Sequence, residues 1–403
     1  MNLVKFGINK FELYWNKFFY LNDFSKIYQE GDFNKDVDYY GIDDENEIIK
    51  KEKGKAAVKN LKDVKLRLDL LGYTLKNIKN MYYDYINESI VREEMPNYDV
   101  FYDALINLDI SKITFPRDII EYSEDFDDGE YFRDIIFSDK NVHKQFNKIF
   151  NTTDINVFSY IEWIDPFIVL RILAENENNL NYDVVWRYED DFYEENYFKP
   201  IMLENKDKIL IVTEGKTDTN IIKKAIKLIY PPIDDFFQYI DMNENYPFTG
   251  SGSLKSFTKG LIKINSLNNI IVIFDNDTEG IKEYNEAIKI NNRPNNILIY
   301  HLPNNDLFNK MDTIGPSGEN IDNINGRAVS IECFLDLNNN NSNPKIRWTN
   351  YDEKAEEYQG ALINKEQYTK NFLKLKLEDL AQYDLSKLKF LIDDIIDKWI
   401  NRK

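Results

Sequence analysis

The middle of the chain carries the most regular alternation of apolar and polar segments. Four short apolar runs have the length and β-branched content of strands buried on both faces, and they lie at 208–213, 237–240, 270–274 and 297–300. Amphipathic segments that predict helices follow three of these runs, at 217–230, 254–264 and 279–290. Strands that alternate with helices predict right-handed crossovers and a parallel sheet.

The pattern before residue 200 predicts a different kind of structure. Apolar alternation on both sides of Asn9 predicts a β-hairpin, and an apolar stripe over 61–78, interrupted by Gly72, predicts helix. Asp165 followed by Pro166 is typical of the first residues of a helix. The charged segment at 29–55 contains few branched apolar residues, so we expect a surface loop there. The acidic stretch at 121–130 has the same interpretation.

The alternation of apolar and polar segments becomes less regular beyond residue 303, and the Asn/Ser-rich stretch at 338–343 predicts a loop. Four apolar residues at helical spacing predict a last amphipathic helix for core or dimer packing, and they are Leu388, Leu391, Ile395 and Trp399. We therefore predict an α/β protein with three regions. A parallel-sheet domain at 205–303 lies between a mixed α+β region at 1–200, built of a hairpin and helices, and a mainly helical C-terminal extension at 304–403.

Composition narrows the classes of function. Acidic residues outnumber basic ones by 70 to 51, which leaves a net charge of −19 and excludes a nonspecific nucleic-acid coat. Any contact with nucleic acid must be local or assisted by a metal. One cysteine and two histidines exclude a disulfide scaffold, a Cys/His zinc site and an iron–sulfur cluster. We expect a cytoplasmic protein without a membrane partner, since no apolar run or leader pattern is found.

Acidic residues follow two of the predicted strands. Glu214 and Asp218 come after the first strand, and Asp275 and Asp277 follow the third. The carboxyl ends of parallel strands meet at one edge of a sheet, where carboxylates repel one another unless a cation neutralises them. An isolated Asp-x-Asp is typical of a solvated turn, but two acidic clusters in one alternating unit favour a site for Mg²⁺ or Mn²⁺.

Two better-known motifs are incomplete in this region. Residues 275–286 approach the spacing of an EF-hand loop, but that loop needs a preceding helix and an apolar strand stands there. Gly215-Lys216-Thr217 ends like a P-loop, but Leu210 occupies the position of its first glycine.

The spacing of the two acidic clusters resembles the Toprim domain of topoisomerases, bacterial primases, OLD-family nucleases and small RNA-maturation nucleases. The matching pattern is Glu-Gly-x-x-Asp at 214–218 and Asp-x-Asp-x-x-Gly at 275–280. The resemblance implies that Asp275 and Asp277 bind a divalent metal, that Glu214 is a ligand or general acid/base, and that Asp218 supports the metal. In the nuclease branch a further acidic residue follows, and Glu332 is either that residue or an exposed helix charge.

The flanking regions resemble bacterial HEPN/Toprim-associated proteins. The matching segments are 64–75, 164–173, 313–319, 325–328 and 347–349. This resemblance implies a role in anti-phage defence and a defence-system partner protein. RNases of the HEPN class pair an Arg and a His about five to seven positions apart on a helix. His143 has no Arg at that distance, and Arg133 lies too far upstream, so we predict no HEPN-type RNase activity.

Basic residues near the acidic clusters are candidates for holding a substrate phosphate. Lys216 is close to Glu214 in sequence, Lys255 begins a predicted helix after a Gly/Ser-rich loop, and Arg327 follows an Asn-Gly pair. His301 ends the fourth predicted strand, where a structural role is favoured over substrate contact.

These observations favour a Mg²⁺- or Mn²⁺-dependent nuclease that acts on DNA or RNA. Its predicted catalytic residues are Glu214, Asp218, Asp275, Asp277 and Glu332. A topoisomerase needs a nucleophilic Tyr on a separate domain, and the zinc ribbon usual in primases is excluded by the single cysteine. The alternative is a non-enzymatic sensor or partner subunit that binds metal or nucleotide. The 27 Tyr, 26 Phe and 5 Trp residues also suggest a homodimer.

Overall fold

The computed structural model describes residues 4–9, 11–16, 23–42, 48–88, 97–112, 164–188, 203–240, 250–338, 343–353 and 355–402. The chain divides into two compact units, Met1–Met202 and Leu203–Lys403. None of the helices within these ranges combines the length and the apolar character needed to span a bilayer.

A five-stranded antiparallel sheet organises the first unit. Its strands are β1 (Val4–Ile8), β2 (Phe11–Asn16), β3 (Lys35–Ile42), β4 (Ile48–Asn60) and β5 (Asp183–Tyr188). They lie in the order β2-β1-β5-β4-β3. The predicted hairpin is confirmed as β1 and β2, with Asn9 between them in the left-handed region at φ 54°.

The prediction of a loop over 29–55 is wrong, because β3 and most of β4 lie there. The end of β4 pairs with β5, from Lys55↔Tyr188 to Asn60↔Asp183, so β4 is an inner strand despite its charged residues. Its Lys59 is only 6% exposed and donates hydrogen bonds to Asp32 at 2.5 Å and to Gln29 at 2.9 Å. A paired lysine, Lys59, therefore fills a buried position of β4 where the sequence pattern would require an apolar residue.

Four helices belong to the described part of the first unit: α1 (Leu61–Leu70), α2 (Leu75–Glu88), α3 (Tyr98–Ile106) and α4 (Pro166–Leu173). The predicted stripe over 61–78 divides into α1 and α2 at Gly72, whose φ of +95° is one that side chains other than glycine rarely adopt. The start of α4 is confirmed, because Asp165 Oδ1 accepts a hydrogen bond from Phe167 N at 2.9 Å. The acidic stretch at 121–130 and His143 lie outside the described residues.

A buried arginine connects α1 to the segment that precedes β3. Arg67 is 0% exposed, and its guanidinium donates hydrogen bonds to the carbonyl oxygens of Lys26 and Tyr28, each at 2.9 Å from Nη2. The carbonyl of Lys26 also accepts from Nε at 3.2 Å. The buried guanidinium thus donates three hydrogen bonds to two backbone carbonyl oxygens.

Arg67→Met is expected to lower the free energy of unfolding by about 2–3 kcal/mol, because it leaves those carbonyl oxygens without donors. Urea unfolding followed by tryptophan fluorescence measures the change. Lys62→Met, an exposed charge on the same helix, is the matched control and is expected to stay near the wild-type value. Equal stabilities of the two variants would contradict this role for Arg67.

The second unit begins with a parallel sheet. Its strands are β6 (Ile209–Thr213), β7 (Phe237–Tyr239), β8 (Asn269–Phe274) and β10 (Ile297–His301). A short segment outside this sheet, β9 (Asn276–Asp277), follows β8. The four longer strands are all parallel and lie in the order β10-β8-β6-β7. The intervening helices are α5 (Lys216–Ile229), α6 (Ser251–Lys263) and α7 (Thr278–Ala287). The predicted alternation of strands and helices is confirmed.

The remainder of the second unit contains a second sheet. Its strands are β11 (Met311–Gly315), β12 (Gly318–Asp322), β14 (Lys345–Asp352) and β15 (Glu357–Leu362). A short strand outside this sheet, β13 (Ala328–Val329), lies between β12 and β14 in the chain. The sheet has the order β12-β11-β14-β15, while β13 pairs with β9. The prediction of a mainly helical extension is therefore wrong. Strands such as β12, whose side chains are mostly exposed and polar, leave no apolar run in the sequence.

Two helices complete the chain, α8 (Lys365–Lys374) and α9 (Ser386–Ile400). The predicted apolar stripe on α9 is confirmed, and its residues Leu388, Leu391, Ile395 and Trp399 are at most 1% exposed. Since α9 and α8 both contact α5, the stripe packs inside this unit.

Candidate functional site

The two acidic clusters meet at the carboxyl edge of the parallel sheet. Glu214 follows β6 and Asp275 follows β8, and these strands pair directly, with Thr213 opposite Ile273. Glu214 Oε1 accepts a hydrogen bond from the backbone N of Asp275 at 3.0 Å. This bond connects the two strand ends and fixes one oxygen of Glu214 beside the Asp275 backbone.

The first turn of α5 positions Asp218 at the same edge. Its Oδ2 accepts a hydrogen bond from Gly215 N at 3.0 Å, so the carboxylate caps the amino end of its own helix. Below this turn, Thr213 Oγ1 donates to the carbonyl of Gly215 at 2.8 Å and lies 2.8 Å from Thr219 Oγ1. Side-chain hydrogen bonds thus hold the Glu-Gly-x-x-Asp segment in a defined conformation.

Asp277 has a structural role at the start of α7. Its Oδ1 accepts from Gly280 N at 2.7 Å, and its Oδ2 accepts from Gln359 Nε2 at 2.5 Å. A Cβ at Gly280 would overlap the backbone oxygen of Asp275 and lie 3.1 Å from Asp277 Oδ1. The glycine of Asp-x-Asp-x-x-Gly is therefore required by close packing of the helix start against the strand end.

Gly280→Ala is expected to lower the free energy of unfolding by about 2–3 kcal/mol, because the strand end and α7 must separate to admit a methyl group. Gly252→Ala on α6 is the control, since no atom lies within 4 Å of its added Cβ. Thermal unfolding of both variants tests the expectation. An unchanged melting temperature for Gly280→Ala would contradict the close packing.

Glu332 joins the acidic residues from a distant part of the sequence. It lies in a short 3₁₀ helix, Ile331–Phe334, and accepts a hydrogen bond from Ser330 Oγ at 2.6 Å. Its exposed fraction is 4%, so it is not the exposed helix charge that the sequence left open.

A cleft of about 640 Å³ opens beside these carboxylates. Glu214, Asp218, Asp275 and Glu332 line it together with residues of α8. Asp277 is not among the described residues that line the cleft, although its charge acts on both Glu214 and Asp275. Four of the five predicted acidic residues thus line one cleft, and the fifth acts on them through its charge.

Burial and mutual repulsion raise the pKa values of the carboxylates in this cluster. Burial, followed by the negative charges of Asp277 and Asp218, raises the pKa of Glu214 to about 7. Burial and the nearby charge of Glu332 raise the pKa of Asp218 to about 7 as well. The pKa of Asp275 is raised well above its usual range by burial and by its carboxylate neighbours. Burial also raises the pKa of Asp277. Without a cation, the cluster therefore retains protons near neutral pH.

The donor set fits a hard divalent cation in charge and in atom type, since repelling carboxylate oxygens would gain from one. Within the described ranges, however, no three acidic, histidine or cysteine side chains are placed to hold one ion together. Two carboxylates are enough for Mg²⁺, because this ion usually keeps several waters and completes its shell with substrate phosphates.

The predicted phosphate-binding residues lie elsewhere. Lys255 Nζ pairs with Glu283 and Glu286, each at 2.5 Å. The Arg327 guanidinium lies 4.4 Å from the ring centre of Trp348 and pairs with Glu357 at 2.8 Å. Lys216 is exposed at the start of α5. None of these three cations is among the described residues that line the cleft.

His301 has a structural environment. Its Nδ1 lies 2.8 Å from the carbonyl oxygen of Leu302, and its ring contacts the Tyr284 ring edge-on at a centroid distance of 4.6 Å. These contacts agree with the structural interpretation of this strand-end histidine.

Sequence reasoning missed the residues of α8 that line the cleft. They are Lys365, Glu366, Thr369, Lys370, Leu373 and Lys374. The available signal was the recurrence of lysines at 365, 370 and 374 along one helical stretch, a pattern that is equally typical of a solvated surface helix.

Comparison with families and with known proteins gives one match. No curated protein and no solved structure matches the chain. The sequence model of the family described as HEPN/Toprim N-terminal domain 1 matches residues 2–210, which is just over half of the 403 residues. The chain therefore belongs to the HEPN/Toprim N-terminal domain 1 family.

Proposed function

We propose that this protein is a Mg²⁺- or Mn²⁺-dependent nuclease that hydrolyses phosphodiester bonds of DNA or RNA, and that residues 205–303 form a Toprim domain. The observation that carries the proposal is the convergence of Glu214, Asp218, Asp275 and Glu332 on one cleft at the carboxyl edge of a parallel sheet. Membership of a HEPN/Toprim family supports a nuclease-related function.

Asp275 and Glu214 are the residues we expect to hold the ion, and the nearby charges of Asp277 and Asp218 favour a cation there. When bound, the ion supplies positive charge to the phosphoryl oxygens and acidifies a water molecule. If Asp275 holds the ion without Glu214, the alternative role of Glu214 is general acid/base, since burial and neighbouring carboxylates raise its pKa to about 7 in the metal-free protein. Glu332 is held in place by Ser330 and can orient the same water.

The test is a cleavage assay with labelled single-stranded and double-stranded DNA and RNA, in Mg²⁺, in Mn²⁺ and in EDTA. We expect cleavage that depends on metal, is lost in Asp275→Ala and is kept in Asp306→Ala. Asp306 is a suitable control because it is an exposed acidic residue just after β10. Absence of cleavage on every substrate, or full activity of Asp275→Ala, would refute the nuclease.

The second candidate is a sensor that binds metal or nucleotide without catalysis. The net charge of −19 favours it, since a polyanionic substrate would be repelled outside the site. A sensor would show a metal-dependent rise in melting temperature in the same preparations, without cleavage of any substrate.

We extend the proposal to anti-phage defence, which the resemblance to HEPN/Toprim-associated proteins implies. Bacteria that express the wild-type protein should give fewer plaques than bacteria that express Asp275→Ala. Equal plaque numbers across a panel of phages would contradict this role.

A further inference from the structure

One face of α8 forms the wall of the cleft opposite the carboxylates. Residues 365, 366, 369, 370, 373 and 374 line the cleft, and their spacing of three and four places them on one side of the helix. Three of them are lysines, so a basic wall faces an acidic one. The Toprim-like motifs include none of these residues.

Thr369 is the most informative residue on this wall. It is only 8% exposed, yet its Oγ1 has no hydrogen-bond partner, and the residue lines the cleft. A buried hydroxyl without a partner costs about 1–3 kcal/mol. Such groups are rare in native proteins unless water or a ligand satisfies them. The hydroxyl of Thr369 is therefore an unused hydrogen-bond donor beside the cleft.

The lysines of the wall are available as well. Neither Lys370 nor Lys374 forms an ion pair or hydrogen bond with any residue that the structure describes, and both are exposed. Lys255 and Arg327 differ, because each is paired with glutamate. Lys365 also lines the cleft, and its charge acts on Asp218. A polyanion in the cleft would thus meet two unpaired cations one helical turn apart.

Hydrogen bonds from α5 and two buried aromatic side chains hold α8 in position. Lys224 of α5 donates hydrogen bonds from Nζ to the carbonyl oxygens of Leu373 at 2.9 Å and Leu375 at 2.6 Å. These bonds satisfy acceptors at the carboxyl end of α8. Tyr368 and Phe372 are at most 3% exposed and anchor its opposite face. The basic wall is therefore preorganised and does not depend on a ligand to form.

We propose that this face of α8 binds the phosphodiester backbone of the nucleic acid substrate, a role that rests on the proposed function for the class of substrate. The Thr369 hydroxyl donates to a phosphate oxygen, and Lys370 and Lys374 neutralise successive phosphates. None of the described residues that line the cleft is aromatic, so no base stacks there and the sequence is not read.

The experiment measures binding separately from chemistry. Fluorescein-labelled oligo(dT), oligo(dA) and oligo(rU) of about 20 nucleotides are titrated with protein in EDTA, and anisotropy is followed over a range of salt concentrations. Lys370→Ala/Lys374→Ala should weaken binding about tenfold or more. It should also reduce the slope of log affinity against log salt by about 1.4, since each single-strand phosphate contact contributes about 0.7.

The threonine variants test the hydroxyl itself. Thr369→Val keeps the shape but removes the donor and should weaken binding about fivefold or more, whereas Thr369→Ser should bind like wild type. The control is Lys259→Ala/Lys263→Ala, which removes the same charge from exposed positions on α6 and should leave the affinity within about twofold. Equal affinity for oligo(dT) and oligo(dA) is expected, and the oligo(rU) arm distinguishes RNA from DNA.

The outcomes separate this inference from the nuclease. If the α8 variants bind less tightly but wild type cleaves nothing, the phosphate-binding role of the basic wall is supported and the nuclease activity is refuted. If wild type cleaves while the α8 variants bind and cleave normally, the basic wall is refuted. Absence of binding to all three oligonucleotides also refutes it. Melting temperatures near wild type show that the variants are folded.

Discussion

Asp275→Asn is expected to reduce phosphodiester cleavage by about a thousandfold or more while it makes the metal-free protein more stable. The substitution removes the most strongly perturbed carboxylate of the cluster, whose pKa is raised by burial and by Asp218 and Glu214. Loss of one metal-binding carboxylate removes several kcal/mol of transition-state stabilisation. Loss of its repulsion should increase the free energy of unfolding by about 1–2 kcal/mol in EDTA. Single-turnover cleavage rates and urea unfolding measure the two effects.

The comparison variant for Asp275→Asn is Asp306→Asn, which removes a carboxylate of the same type from an exposed turn. It should change neither the rate nor the stability by a measurable amount. A destabilised Asp275→Asn would mean that a neighbouring donor, and not a carboxylate, dominates the environment of this side chain. A stable but fully active variant would remove Asp275 from the catalytic set.

Loss of cleavage together with a gain in stability distinguishes a carboxylate that serves function from one that stabilises the fold. Asp277 accepts hydrogen bonds from Gly280 and Gln359, so its charge has protein partners. Asp275 has mainly like charges around it. Groups that are destabilising in the folded protein but are retained by the chain are concentrated at sites of chemistry. In the proposed metal site, this asymmetry within a single Asp-x-Asp motif favours Asp275 over Asp277 as the metal ligand.

The sequence predicted those parts of the fold whose signals are local. An apolar run over 270–274 followed by Asp275 and Gly280 specifies strand, turn and helix within about twenty residues, and the same holds for 208–218. The adjacency of Glu214 and Asp275 then followed from the general rule that parallel strands place their carboxyl ends together.

The pairing of strands that are distant in the sequence could not be predicted from local patterns. β4 contains Lys50, Lys51, Lys53, Lys55 and Lys59, a composition that indicates a solvated loop. It becomes an inner strand because β5, more than a hundred residues later, supplies hydrogen bonds along one side. A polar strand is stabilised by its neighbours, and a single sequence does not identify them.

The basic wall was missed for a related reason. A helix with lysines at 365, 370 and 374 is indistinguishable in sequence from a surface helix. Its proposed role depends on tertiary placement in the same cleft as Asp218 and Glu332, and on the hydroxyl of Thr369, which packing leaves without a partner. Glu332 could be assigned to the cleft only once its burial was known.

The metal-free protein is expected to lose stability as the pH rises from about 5 to about 8, by roughly 2–4 kcal/mol more than a variant without the cluster. Glu214 and Asp218 have a pKa of about 7 in the folded protein, against ordinary values of 4.5 and 3.8. The folded state therefore binds these protons more tightly than the unfolded chain does. The stabilisation is complete below the unfolded-state pKa values and is lost as the pH rises through about 7, because the ionised carboxylates then repel one another.

Urea unfolding in EDTA across this pH range, with wild type and Glu214→Gln/Asp218→Asn side by side, isolates the contribution of the cluster. The double variant keeps the shape of both side chains and should show a flatter dependence on pH, since its amides do not ionise. Saturating Mg²⁺ at about pH 8 should restore about 2–3 kcal/mol to wild type, as expected for an ion at about a hundred times its dissociation constant, and much less to the variant. Parallel pH profiles of the two proteins would mean that the carboxylates at this sheet edge do not repel one another. Equal gains in stability from Mg²⁺ would mean that they do not bind the ion.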